Sequence, residues 1–190
     1  MIRLTDRFDL ALRYARELHG GQARKGAEVP YLAHLLGVAS IVLDDGGDED
    51  QAIAGLLHDA AEDHGGRDRL ADIQSRFGNA VAQIVEDCTD SWTTPKDPWI
   101  ERKTAYVEHA RKLPPESLRV SAADKVHNAY AILRDLRNVG EQVWDRFKAK
   151  PDDVIWYYEA LVRAYRQAGG GRLVEELDRI VRGIQREMGY

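Results

Sequence analysis

Apolar side chains recur along this chain at helical spacing. Phe8, Leu10, Ala11, Leu12, Tyr14, Ala15 and Leu18 mark one face of a first amphipathic helix, with Thr5 or Asp6 placed to cap it and Gly20-Gly21 to stop it. Pro30 opens a second helical pattern over residues 31–43, since its fixed φ suits a first turn. A Gly/Asp loop over residues 44–50 leads into a third helix, expected to run unbroken from about Glu49 to His64 and to end at Gly65-Gly66. Two short helical patterns, 70–77 and 80–88, meet at Gly78-Asn79. Residues 90–98, with Thr93, Thr94 and two prolines, have turn chemistry without periodicity, which predicts a loop and, ahead of a charged helix, a place for a substrate lid. That helix, 100–113, carries Glu101-Arg102-Lys103, read as an exposed charged face. Pro114-Pro115 breaks the chain before a long helix over 117–136, and residues 143–147, 154–168 and 173–188 complete it, with Gly169-Gly170-Gly171 as the last joint. No repeat, low-complexity tract or strand alternation interrupts this series. The expectation is an all-α fold, one bundle of about eight to ten helices spanning 1–190, with a core over 5–168 and a C-terminal helical extension over 172–190.

Composition narrows the partners. The chain of 190 residues is long enough to bury a substantial core in one domain. Its 27 Lys and Arg are outnumbered by 32 Asp and Glu, for a net charge of −5, and no long basic block is present. That argues against broad nucleic-acid binding but leaves room for a small anionic substrate, which needs only a local cluster. The single cysteine, Cys88, excludes an internal disulfide framework and fits a reducing compartment, read most simply as a small buried hydrophobe. No apolar run approaches the roughly 18 residues of a membrane span, and residues 1–9 lack a signal peptide's apolar region. A cytoplasmic protein without a membrane partner is expected.

The chemistry concentrates in Leu56-Leu57-His58-Asp59-Ala60-Ala61-Glu62-Asp63, where an adjacent His-Asp pair is repeated one turn later as Glu-Asp. At about 3.6 residues per turn His58 lies over Glu62 and Asp59 over Asp63, two columns side by side. Ionisable groups at the end of an apolar run need partners, and three crowded carboxylates repel one another. A bound cation neutralises them, and imidazole with carboxylate is a ligand set for a divalent transition metal; the other reading is a solvated helix end. His34 falls among Leu32, Leu35, Leu36 and Val38, either as a core residue or, with a second His and carboxylates one helix later, as a ligand. Arg24 and Lys25, in the glycine-bounded Gly21-Gln22-Ala23-Arg24-Lys25-Gly26, suit a phosphate or a nucleobase face as well as a solvated turn. Asp124 and Asn128 are four apart and share a helix face, so that one can bind metal while the other reaches a ligand beside it; His127 falls off that face.

Taken in order, Gly-Gln-x-Arg-Lys-Gly, Pro-Tyr-x-x-His, His-Asp-x-x-Glu-Asp and Ala-Asp-Lys-x-His-Asn cover Gly21 to Asn128. In this order they resemble the HD-domain metal-dependent phosphohydrolases, and among them the alarmone hydrolases related to the hydrolase half of the Rel/SpoT enzymes. The resemblance implies Mn²⁺, or another divalent metal, held by His34, His58, Asp59 and Asp124. It implies Glu62 and Asp63 as the catalytic pair that handles the attacking water and the leaving group's proton, and Arg24, Lys25 and Asn128 as substrate contacts. The implied reaction is removal of pyrophosphate from the 3′ position of ppGpp or pppGpp, with (p)ppApp as a further substrate. The alternatives are another HD activity, nucleotidase or phosphodiesterase, and a nucleotide-binding regulatory module without turnover. Two positions depart from the pattern. Tyr130 stands where the family commonly has Arg, removing a positive charge from near the expected phosphates, and Glu159 follows Trp156-Tyr157-Tyr158, which resembles the pocket-closing helix and also fits a core aromatic stripe.

Overall fold

A computed structural model describes residues 2–92 and 95–190; Thr93 and Thr94, read above as turn residues, lie outside the described residues. Among the described residues there are ten α-helices, one 3₁₀ helix and no strand, so the all-α expectation holds. In chain order the α-helices are α1 Asp6–His19, α2 Leu32–Asp44, α3 Glu49–Leu57, α4 Ala60–Asp63, α5 Gly66–Phe77, α6 Asn79–Cys88, α7 Trp99–Ala110, α8 Pro115–Val139, α9 Pro151–Gln167 and α10 Arg172–Glu187. Their starts follow local chemistry. Thr5 caps α1 by accepting from the Arg7 amide, and Asp48 with Gln51 forms a reciprocal capping box on α3. Pro115 and Pro151 open α8 and α9, where a missing amide hydrogen costs nothing.

The short helix α3 lies at the centre, packed by α1, α2, α6 and α8. Every residue from Gln51 to Leu57 is buried, so its carboxy-terminal end delivers whatever follows into the interior. Its own Ile53 and Leu56 and, from α2 and α8, Leu35, Val38 and Val120 are fully buried, the larger of these side chains contributing about 1.5–3 kcal/mol each. On the outer side α10 lies along α8 and α9, with Leu173, Leu177 and Ile184 joining the same apolar cluster.

Two sequence expectations need correction here. The helix expected to run unbroken from Glu49 to His64 is interrupted: α3 stops at Leu57 and α4 starts at Ala60, leaving His58 and Asp59 in the step between them. There the His58 ring Nδ1 donates to the Gly55 carbonyl at 2.9 Å, a side chain using a main-chain acceptor where the helix gives out. The pattern at 143–147 is not α-helical either; it belongs to a 3₁₀ helix, Gly140–Arg146, whose Val143 and Trp144 are buried.

Candidate active site

His34 comes from the buried face of α2, His58 and Asp59 from the step after α3, and Asp124 from the middle of α8. His58 Nε2 lies 3.0 Å from Asp59 Oδ2 and 3.5 Å from Asp124 Oδ1. His34 Nε2 lies 3.2 Å from Asp124 Oδ1 and 3.7 Å from Asp59 Oδ2. One ligand atom from each of His34, His58 and Asp59 falls within 4.8 Å of the others. Asp124 borders the same space but is engaged elsewhere too: Oδ2 meets Lys125 Nζ at 2.5 Å, and Oδ1 accepts from Asn128 Nδ2 at 2.5 Å.

The hydrogen count at this cluster fits a cation. A carbonyl only accepts, so His58 Nδ1 carries its proton toward Gly55, and Nε2 is left as a buried lone pair without a hydrogen-bond partner. His34 repeats the arrangement, with Nδ1 2.9 Å from His127 Nδ1 and a buried, unpartnered Nε2. Burial, with His34 and Arg24 nearby, pushes the His127 imidazole down to about 4, so it is neutral and able to accept. Burial also holds His34 below its ordinary value. Two bare nitrogens thus face carboxylate oxygens of Asp59 and Asp124, and a cation between them would satisfy both nitrogens and offset the remaining negative charge. Burial opposes a proton on His58, yet the Asp59 and Asp124 carboxylates outweigh it and raise the group well above its usual value. The site therefore draws a cation even when the only one at hand is a proton.

His127, read from spacing as off the functional face, sits directly behind His34. The space for it exists because position 37 is glycine: a Cβ there would come within 2.3 Å of His127 Nε2. Tyr31 completes this support. Its hydroxyl, held protonated by burial and by Asp59, donates to Asp59 Oδ2 at 2.5 Å.

Glu62 turns toward the loop after α6 and Asp63 toward the loop after α1. Glu62 accepts from the Asp90 amide at 3.2 Å and from Lys96 Nζ at 2.5 Å, while Asp63 accepts from Gln22 Nε2 at 3.0 Å. Burial and the Asp90 carboxylate raise the Glu62 carboxyl above its ordinary range. Lys96 thus brings the expected lid segment onto both carboxylates. The charged face expected at Glu101-Arg102-Lys103 is corrected in part: Arg102 and Lys103 are largely buried and both grip Asp90, whose carboxylate they hold low against its burial.

A cavity of about 700 Å³ extends from His34 between the loop 22–30, α7, α8, the 3₁₀ helix and α9. That volume suits a nucleotide-sized ligand. Arg24, Lys25 and Asn128 line it as expected, with Arg24 Nη2 donating to Asn128 Oδ1 at 2.9 Å. The loop is pinned by main-chain bonds from Arg24 to Val29 and from Tyr31 to Gln22, both 2.8 Å. Gly26, at φ 70°, passes under Arg146, whose Cγ would lie 2.4 Å from any Cβ there. Four further cations on the walls were given no such role from sequence: Lys103, Lys125, Arg134 and Arg146. Lys125 had a signal in its place between Asp124 and His127; the others arrive through long-range packing. Tyr130, whose lost positive charge was expected to matter, is 59% exposed and does not line the cavity. Glu159 faces away as well, accepting from Gln185 on α10 at 2.9 Å, while Tyr157 and Tyr158 face the cavity.

The HD domain family model matches residues 11–155. Guanosine-3′,5′-bis(diphosphate) 3′-pyrophosphohydrolase MESH1 of Xenopus tropicalis is 40% identical over 137 residues, covering 70% of this chain and 72% of that protein. The Homo sapiens protein of the same name is 36% identical over 143 residues, covering 74% and 75%. Among solved structures, that of a metazoan ortholog of SpoT that hydrolyzes ppGpp aligns over 98% of each chain with a TM-score of 0.77 and 29% identity. The matched span takes in His34, His58, Asp59 and Asp124 together, and by that match this chain belongs to the HD-domain family.

Proposed function

We propose that this chain hydrolyses the 3′-pyrophosphate of ppGpp and pppGpp, giving GDP or GTP and pyrophosphate, as its MESH1 relatives are named for doing. The observation in this chain that carries the reading is the pair of bare imidazole nitrogens facing Asp59 and Asp124 at the end of a nucleotide-sized cavity. His34, His58, Asp59 and Asp124 would hold the metal, and their mixed nitrogen and oxygen donors suit Mn²⁺. A divalent ion bound there supplies Lewis-acid chemistry to a phosphate oxygen and lowers the pKa of water.

The side chains divide the remaining work. Water's oxygen joins the phosphorus attached to the 3′ oxygen as the bond between them breaks, and a proton ends on the 3′ hydroxyl. Glu62, whose carboxyl burial and Asp90 raise above its ordinary range, delivers the proton to the leaving 3′ oxygen, while Asp63 orients and deprotonates the water. Lys103, Lys125 and the buried, unpartnered hydroxyl of Tyr157 receive pyrophosphate oxygens, and Arg24, Lys25 and Asn128 take the nucleoside side.

The deciding experiment is a product assay with ppGpp, ppApp, GTP, deoxynucleoside monophosphates and cyclic dinucleotides under one Mn²⁺ condition. We expect ppGpp to turn over fastest, with GDP and pyrophosphate as products. Faster turnover of any substrate without a 3′-pyrophosphate would overturn the alarmone assignment and leave a different HD phosphohydrolase.

A further inference from the structure

Behind Asp63 lies a second, separate polar cluster that none of the roles above uses. His19, from the last turn of α1, is 2% exposed, and its Nδ1 lies 2.7 Å from Gln22 Oε1. His64, the residue after α4, brings its Nε2 to 3.3 Å from the same oxygen and 3.2 Å from His19 Nδ1. The two rings meet edge to face with centroids 4.5 Å apart. On its other end Gln22 donates from Nε2 to Asp63 Oδ2 at 3.0 Å. His19 also stacks on Tyr31 at 5.2 Å, and Tyr31 holds Asp59.

The orientation of the Gln22 amide follows from this set. An ionised carboxylate has no hydrogen to give, so the amide nitrogen must face Asp63 and the amide oxygen must face the rings. Turning the amide over would set its oxygen against the Asp63 carboxylate, two acceptors with no hydrogen between them. The Gln22 backbone is fixed as well, through its amide to the His19 carbonyl at 2.9 Å and its carbonyl to the Tyr31 amide at 2.8 Å. Asp63 is only partly buried, its side chain 26% exposed, and Lys96 Nζ stands off from it at 3.6 Å while bonding Glu62. Without Gln22, this partly exposed carboxylate would lose the 3.0 Å hydrogen bond that holds it.

We infer that Gln22 is a positioning residue for the hydrolytic step: its amide, locked by His19 and His64, fixes the rotamer of Asp63 and so the direction in which that carboxylate takes a proton. The inference rests on the reading of Asp63 as part of the catalytic pair. Gln22 also borders the substrate cavity, so two roles have to be separated. A positioning role acts on kcat and vanishes when Asp63 can no longer accept a proton; a substrate contact acts on KM and persists.

The test is a double-mutant cycle on ppGpp hydrolysis with Mn²⁺, using Gln22→Ala, Asp63→Asn and the pair, with bound metal measured on each. Misplacing a catalytic group by about an ångström costs up to about a hundredfold, so Gln22→Ala should lower kcat roughly ten- to a hundredfold with KM within about threefold and metal content unchanged. In the Asp63→Asn background the same change should cost nothing further. Gln22→Met, similar in size but without the amide, should match Gln22→Ala and guards against a loop that has merely collapsed. A loss carried by KM, or losses that multiply in the double variant, would overturn the inference and leave the assignment of Asp63 standing. An Asp63→Asn enzyme at wild-type rate would remove that assignment and the inference together.

Discussion

At one end of the cavity His34 and Asp124 come from α2 and α8 and His58 and Asp59 from the step after the buried α3; at the other, Arg24, Lys25, Arg134 and Arg146 come from a loop, the outer half of α8 and a 3₁₀ helix. The first set carries two buried imidazole nitrogens without a hydrogen-bond partner, set against Asp59 and an Asp124 carboxylate that Lys125 only partly offsets. The second carries cations that mostly have partners already, as Arg146 has Asp135 at 2.5 Å and Arg24 has Asn128. Removing a group from the first leaves its neighbours buried and uncompensated, whereas removing one from the second leaves neighbours that re-pair or meet water. The comparison teaches that the two ends should fail differently: one by losing its ion, the other by losing only affinity.

The sharpest way to break that contrast is at the ligands. His58→Ala and Asp124→Ala should each lose stoichiometric Mn²⁺ and bring hydrolysis to background, read by elemental analysis and product formation. Full metal retention in both would remove them from the set that holds it. Next in size, Glu62→Gln should keep its metal and lose about 10²- to 10⁴-fold in turnover, the ordinary worth of a general acid or base. A steady-state rate within threefold of wild type would show that Glu62 does not manage the proton.

Smaller effects test the edges of each region. His127→Ala takes away the acceptor that orients His34, and should weaken Mn²⁺ binding about 10- to 100-fold by calorimetry while leaving the helices intact. At the far end Arg24→Ala should raise KM about tenfold with kcat nearly unchanged, as expected for one charge-assisted contact. Tyr130→Arg, on a side chain facing solvent, should alter KM by less than about twofold; a clear gain in ppGpp affinity would place that position back at the phosphates.

Sequence reasoning reached these regions unevenly, for physical reasons. Helix spacing and the ordered motifs located α2, α3 and α8 and picked out His34, His58, Asp59 and Asp124, which the fold brings within a few ångströms of one another. Apolar periodicity could not register the break at His58, because the residues on both sides remain buried and the break comes from a ring bonding to a main-chain carbonyl. Nor did periodicity place His127 behind His34, since that contact depends on the missing side chain of Gly37 on another helix. Lys103 read as a solvated charge because its partner, Asp90, lies in the preceding loop. Tyr130 drew attention through the motif, although which way it points is decided by packing across α8.

The carboxylates that clasp the lysines around this site, Asp90 on Lys103, Asp124 on Lys125 and Glu62 on Lys96, have a consequence for how a polyphosphate enters and leaves. Such a pocket does not wait as a bare well of positive potential. An arriving phosphate has to win Lys103 and Lys125 from a resident anion, so at those two groups its gain is the difference between two ion pairs. Dense, multiply charged phosphates compete well in that exchange and single phosphates compete poorly. On the proposed reaction, dividing the substrate's charge between two products would let the resident carboxylates reclaim their lysines, so that the protein's own anions would help expel what it makes.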